Sequence, residues 1–490
     1  VFMRYRWQRP LRILALCLCL TFLLLASERE TEQPLAVELG LQTVPTKNDL
    51  WAAQLGLRMA RLRTHIPTVD RVVIVPDQIT FLAALQKWSL QGRYPILIDD
   101  KRFTPLFVKR FQPAEVVRLP SVLSSIKPRS ITTEAKRQLI LKAVTHAWNA
   151  EDRESLKQRW HQLGWQPPGV VLTSINDPAM PAAVALAASW GQPLVFLEGN
   201  YGKPNDLLTP AQWQSLNLSV QQAVASTGYT YKELGDSIET VTISRQLAVK
   251  YESAQNPNEQ LAVTDGLGRN PDGTRWSIVG WIYGSAERSV YQAMCSIFLD
   301  AQTTLLYDSY PKEGVWQTYS MNTAESDLRR VGLRPKLIEQ PQANLESWRA
   351  LVKDGIDFDL IFVNSKGDPA SFDVGGSQAL VKDIPKLLSP AAIHFIHSWS
   401  ATTPDDINTV AGRWLDRGAY IYVGSVHEPY LSAFVRPSLI VKRLLMAAPF
   451  LASARLTNPI PWKITTIGDP LMMLTKQRQR ISPQAFPLTK

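Results

Sequence analysis

The chain has 490 residues, 45% of them hydrophobic and 20% charged, with 15 tryptophans and no long low-complexity run. That length exceeds one ordinary hydrophobic core, and the composition is that of a folded protein and excludes a disordered one. The formal charge of +10 is spread along the sequence without a dense Lys/Arg cluster, so a concentrated nucleic-acid-binding patch is excluded too.

The first residues carry Arg4, Arg6, Arg9 and Arg12, followed by 14 apolar or neutral residues from Ile13 to Ala26. A basic stretch ahead of a short apolar run reads as a secretory signal, since a membrane-spanning helix needs about 20 apolar residues. We expect residues 1–26 to direct export to the periplasm or the exterior, with an uncleaved membrane anchor as the alternative. The membrane is otherwise no expected partner. Losing those four arginines leaves 49 basic against 43 acidic residues, a mild excess. Cys17 and Cys19 leave as well, so Cys295 is the only cysteine left and neither an intramolecular disulfide nor a cysteine metal site is expected.

Residues 27–68 form a lead-in with a helical pattern at Leu50, Ala53, Leu57 and Ala60. After Pro67 comes a β-branched run, Val72 to Val75, then a helical stretch ending near Trp88 to Leu90, then a second buried strand, Tyr94 to Asp99. The pattern returns 98 residues later without an insertion: Val170 to Thr173 matches Val72 to Val75, Ala182 matches Ala84, and Pro193 to Phe196 matches Pro95 to Ile98. Each copy reads as a right-handed βαβ unit with parallel strands. Together they predict an N-terminal α/β domain over 69–248. A charged helical stretch, Thr132 to Gln162, links the copies, with Ala135, Leu139, Ala143 and Ala147 on one face. The repeated units loosely resemble the α/β modules of some bacterial cell-wall-binding proteins.

The polar stretch Ser253 to Glu259 predicts a linker to a second domain over 261–476, with 477–490 as a loose tail. Strand patterns recur at Leu261 to Thr264, Trp276 to Ile282, Thr304 to Tyr307, Asp359 to Val363, Ala392 to Ile396, Tyr420 to Val423 and Ile464 to Ile467. Helical patterns alternate with most of them. The fold class expected is α/β, with mostly parallel sheets and helices on both faces.

In such sheets ligands gather beyond the carboxyl ends of the strands. The turns there hold Asp265-Gly266, Asn364-Ser365-Lys366-Gly367-Asp368, His397-Ser398-Trp399-Ser400, Gly424-Ser425-Val426-His427-Glu428-Pro429 and Gly468-Asp469-Pro470. The run from Val423-Gly424-Ser425 through Tyr430, with the later Pro461-Trp462-Lys463 and Ile467-Gly468-Asp469-Pro470-Leu471, resembles the end of gingipain-type members of the caspase-like peptidase superfamily. Val263-Thr264-Asp265-Gly266 and Val279-Gly280-Trp281-Ile282 are similar to an early aspartate and a Gly-Arg turn of those proteins, with Trp281 where an arginine is common. The resemblance covers about residues 261–475. It implies a catalytic histidine in a His-Gly turn after one strand and a nucleophilic cysteine after the next. Here those turns read Asn364-Ser365-Lys366-Gly367 and His397-Ser398-Trp399-Ser400, without either residue. Cys295 lies in a helical run and reads as a packing residue.

Three kinds of chemistry remain open for these turns. A serine hydrolase would use Ser398 or Ser400, His427 or His397 as base, and Asp469 or Glu428 as the orienting carboxylate, although no Gly-x-Ser-x-Gly elbow is present. A metal site would draw on His397, His427 and a carboxylate from Asp469, Glu428 or Asp368, although their spacing is no ligand signature. A non-catalytic pocket would offer the flat faces of Trp399 and Tyr430, with Asp265, Asn364, Ser365, Asp368, Ser400, Ser425 and Glu428 around them, to a peptide, a protein or a cell-wall glycan. We expect the last, with no metal and no cofactor: a peptidase-like body acting in binding or assembly. An active hydrolase and a purely structural domain are the alternatives. His394, inside a strand, reads as a core histidine, and Lys366 as a solvated turn residue.

Overall fold

The computed structural model describes residues 50–125, 132–474 and 479–487. The expected export signal, with Cys17 and Cys19, lies outside the described residues.

Helix α1, Leu50–His65, buries Ala52, Leu55, Met59 and Leu62. It packs so closely that a Cβ added at Gly56 would stand 1.6 Å from the Ala447 carbonyl oxygen. The chain then forms β1 (Arg71–Val75), α2 (Gln78–Leu85), β2 (Ile96–Ile98) and β3 (Glu115–Arg118), a parallel sheet ordered β2-β1-β3. Asp77 starts α2 by accepting the Thr80 amide at 2.8 Å, which satisfies one of the free N–H groups of the first turn.

The linking stretch is two helices, α3 (Thr133–His146) and α4 (Arg153–Gln162), broken where Asn149 takes φ 54°. Thr132 caps the first, and Asp152 with Ser155 forms a capping box on the second. Next come β4 (Gly169–Thr173), α5 (Met180–Trp190) and β5 (Leu194–Phe196). The duplication extends to strand register: Val73 faces Ile96, and Val171, 98 residues on, faces Leu194. Strand β6 (Thr240–Ser244) flanks β4 as β3 flanks β1.

The first copy keeps its own sheet, while the second is extended by β7 (Ile278–Ile282), β8 (Thr303–Asp308), β9 (Arg334–Glu339), β10 (Leu360–Asn364), β11 (Ala391–Ile396), β12 (Ala419–Ser425) and β13 (Ile464–Ile467). The result is one ten-stranded sheet ordered β9-β8-β10-β11-β12-β13-β7-β6-β4-β5. It is mixed α/β and mostly parallel. Only β12 and β13 pair antiparallel, so two parallel blocks run in opposite directions and meet there. Side chains alternate between two cores: Leu360 and Phe362 go to one, Ile361 and Val363 to the other, with helices covering both faces. Helix α6 (Ala286–Phe298) is buried along its length in the first of these cores, which it shares with β1 and β2.

The boundary expected between 248 and 261 falls within this sheet. β6 and β7 pair along their whole length across it, and the polar Ser253–Glu259 stretch closes a hairpin between Lys250–Glu252 and Gln260–Ala262. Polar composition there marks solvent exposure rather than a domain limit.

Candidate functional site

The turns after β10, β11 and β12 lie side by side. The Ser365 amide donates to the Ile396 carbonyl, the Ala401 amide to Ser425, and the Trp399 amide to His427 at 3.4 Å. A hairpin, Ser371–Val374 with Ser377–Leu380, follows the first turn and folds onto the second.

Under that hairpin sits His397, 1% exposed. Its Nε2 lies 2.7 Å from the Ser371 carbonyl oxygen, which fixes the proton on Nε2. Burial pushes the imidazole down to about 4, so the ring is neutral near pH 7. Gly367 makes room for it. That residue takes φ 150°, and an added Cβ would stand 2.6 Å from the Ser371 oxygen and 2.8 Å from His397 Nε2.

Several predicted site residues are ties of the framework. Asn364 is fully buried and donates from Nδ2 to Asp308 at 2.8 Å and to the Tyr319 carbonyl at 2.9 Å. The Ser365 hydroxyl donates to Asp373 O at 2.7 Å, and its carbonyl accepts from the Tyr310 hydroxyl at 2.6 Å. Asp368 exchanges backbone bonds with Ser371 at the hairpin base. Ser400 is buried and accepts the Ser425 amide, while the Ser425 hydroxyl donates to the carbonyls of His427 and Lys463.

What faces solvent is a narrow ledge. Ser398 Oγ donates to Glu428 Oε1 at 2.9 Å, the rings of Trp399 and His427 meet edge to face at 5.6 Å, and Tyr430 is 79% exposed. Partial burial and the neighbouring Lys463 and Lys250 ammonium groups lower the His427 imidazole. Neither the Ser398 nor the Ser400 hydroxyl bonds a histidine ring: the first donates to Glu428 and the second accepts the Ser425 amide.

Asp469 does not join this ledge. Because β13 runs antiparallel to β12, with Tyr422 opposite Ile467 and Ser425 opposite Ile464, the chain beyond Ile467 heads for the start of β12. At ~3.3 Å per residue that places Asp469 roughly 15 Å from the 425–428 turn. It is fully buried, accepting the Trp190 indole N–H at 2.9 Å and the Leu471 amide at 3.0 Å, and burial raises its carboxyl to about 6. The sequence pattern did not show that this strand reverses.

Asp265 does not belong to the ledge either. It lies in a one-turn helix, Val263–Gly266, and is 1% exposed. Arg269 (2.8 Å), Arg275 (2.6 Å) and Arg455 (3.2 Å) surround its carboxylate, and Trp462 donates its amide at 2.9 Å. Despite burial, the three guanidinium groups hold it down to about 2. This is a buried strut joining distant parts of the chain. His394 is buried as expected, against Phe362 and Phe434, yet neither ring nitrogen has a partner among the described residues, and burial pushes it down to about 3.

With Nε2–H held by Ser371, a metal at His397 would have to bind Nδ1, which is buried and has no hydrogen-bond partner among the described residues. Among the described residues no group of three His, Cys, Asp or Glu side chains is arranged to hold a metal ion. The tyrosines at 310 and 319 and the arginines around Asp265 were not singled out from sequence, since neither spacing nor composition distinguishes them. No protein-family model, curated protein or solved structure matches this chain.

Proposed function

We propose that this chain is an exported, caspase/gingipain-like protein without peptidase activity, serving in binding or assembly at the cell envelope. The observation that carries the reading is the sealed His397. It occupies the turn where that family would keep its nucleophilic cysteine, with its Nε2 committed to the Ser371 carbonyl. The preceding turn, where the family histidine would stand, holds Asn364 and Gly367, both used in packing. The adjacency of the two turns agrees with the resemblance, and the turns hold neither a cysteine nor an exposed histidine to form that family's dyad.

The thiol of Cys295 points the same way. It is buried in α6, and burial pushes it well above its ordinary value, the reverse of what a thiolate nucleophile requires. The ledge of Trp399, His427, Glu428 and Tyr430 offers aromatic faces and a carboxylate to a peptide, a protein or a cell-wall glycan. Export rests on the basic and apolar pattern of residues 1–26, and no helix among the described residues is long and apolar enough to cross a membrane.

Incubation of the purified chain with a mixed peptide library, read by mass spectrometry, tests the proposal. No cleavage product is expected. Cleavage that disappears on Ser398→Ala or His427→Ala contradicts it and favours a serine hydrolase.

A further inference from the structure

The ten-stranded sheet ends on two unlike edges. Along β9 stand Arg334, Pro335, Lys336 and Glu339, the charges and proline that keep an open edge from pairing. The opposite edge, β5, reads Leu194-Val195-Phe196 and carries neither.

The ladder fixes which way its backbone points. Val171 donates its amide to the Pro193 carbonyl, and Leu197 donates to Thr173. The odd-numbered residues therefore bond β4, and the N–H and C=O groups of Leu194 and Phe196 face outward. In the first copy of the repeat the matching edge is closed. Ile96 and Ile98 are buried, and the Ile96 amide meets Met294 Sδ of α6 at 3.4 Å. Beside β5 there is instead a groove of about 520 Å³, walled by α3, α4 and the Ser226–Tyr229 segment. Two polar side chains lining it are buried without hydrogen-bond partners among the described residues: the Trp160 indole N–H, in a residue 3% exposed, and the Gln192 amide, in a residue 0% exposed. On its rim, Arg137, Arg153 and Lys157 form no ion pair among the described residues, against two carboxylates, Glu134 and Glu154. Arg137 lies 4.9 Å over the Phe196 ring.

We propose that β5 and its groove bind an extended, acidic peptide segment of a partner protein by strand addition. The outward groups of Leu194 and Phe196 pair with the peptide backbone, its apolar side chains rest on Leu194 and Phe196, and its carboxylates meet Arg137, Arg153 and Lys157. Walls on both sides of the strand admit one slim chain rather than a second globular body. This site is separate from the ledge around Trp399, and its test does not depend on that reading.

The probe is a fluorescent, end-blocked octapeptide, Val-Thr-Asp-Thr-Val-Thr-Asp-Thr, whose valines and aspartates share one face of an extended strand, titrated with the intact protein by anisotropy, with amide hydrogen exchange in parallel. Saturable binding is expected, with slowed exchange at Leu194 and Phe196. Binding should weaken about ten-fold or more when the peptide amides facing the edge are N-methylated, and similarly in the Arg137→Glu/Lys157→Glu protein. Leu194→Pro removes an outward N–H that the sheet does not use, so it should abolish binding without a large loss of stability. If that variant fails to fold, the N-methylated peptide on the unaltered protein decides. Absence of binding, or binding indifferent to N-methylation, overturns the proposal. So does concentration-dependent dimerisation that protects Leu194 and Phe196 without peptide.

Discussion

His397 and Gly367 form a lock in which each depends on the other. Gly367→Ala would force a Cβ against the Ser371 carbonyl in a left-handed backbone, and we expect it to cost about 1–3 kcal/mol, seen as a lower midpoint in urea denaturation. Asp265→Asn should cost more, about 3–5 kcal/mol, because three buried guanidinium groups lose their counter-charge. The buried histidines add a pH signature. Their folded values, about 4 for His397 and about 3 for His394, lie below the ordinary 6.5. Below pH ~6.5 the unfolded chain therefore takes up protons that the folded chain refuses, and stability falls as pH drops from ~6.5 toward ~4. Urea midpoints at a series of pH values should show this acid limb flattened in His397→Gln, whose amide replaces the Nε2–H donor. Asp469 acts in the opposite direction: with its carboxyl raised to about 6 from 3.8, it lowers stability as pH rises through that interval. His394 was legible as a core residue because it alternates with Ile393 and Phe395. The role of Asp265 was not, because Arg455 lies 190 residues away in sequence.

The two strand-helix-strand units are tied by different local devices: α5 starts without a side-chain cap, and Asp177 instead accepts the Ala179 and Gln246 amides, whereas in the first copy the cap itself is the tie. Asp77 accepts the amide and hydroxyl of Thr80 and the hydroxyl of Ser121, binding the end of β1, the start of α2 and the segment beyond β3. Asp77→Ala should cost about 1–2 kcal/mol, measurable by calorimetry, while Asp77→Asn should recover part of it. The strands and their 98-residue repeat were legible because continuous β-branched runs bounded by turns have few other readings. The direction of β13 was not. A four-residue β-branched run such as Ile464-Thr465-Thr466-Ile467 reads the same whether it lies parallel or antiparallel to its neighbour, and that reversal is what removes Asp469 from the ledge.

At the scale of the whole molecule, one sheet joins what the sequence divides into two domains. β7 lies between β6 and β13, so a fragment covering residues 261–490 would leave it with an unpaired, fully buried edge and both cores opened to solvent. Such a fragment should be unfolded or aggregated by circular dichroism and light scattering, and the intact chain should melt in one transition by calorimetry. A well-folded fragment, or two separate transitions, would show that the halves are independent. The polar stretch 253–259 suggested independence because composition reports exposure and not connectivity. The histidine in the turn after β11 is a structural strut rather than a base. Nitrogen-15 NMR of the histidine rings tests this most directly: His397 should carry its proton on Nε2, exchange it slowly with solvent and stay neutral down to about pH 5. A His397 ring that exchanges freely and titrates near pH 7 would contradict the account.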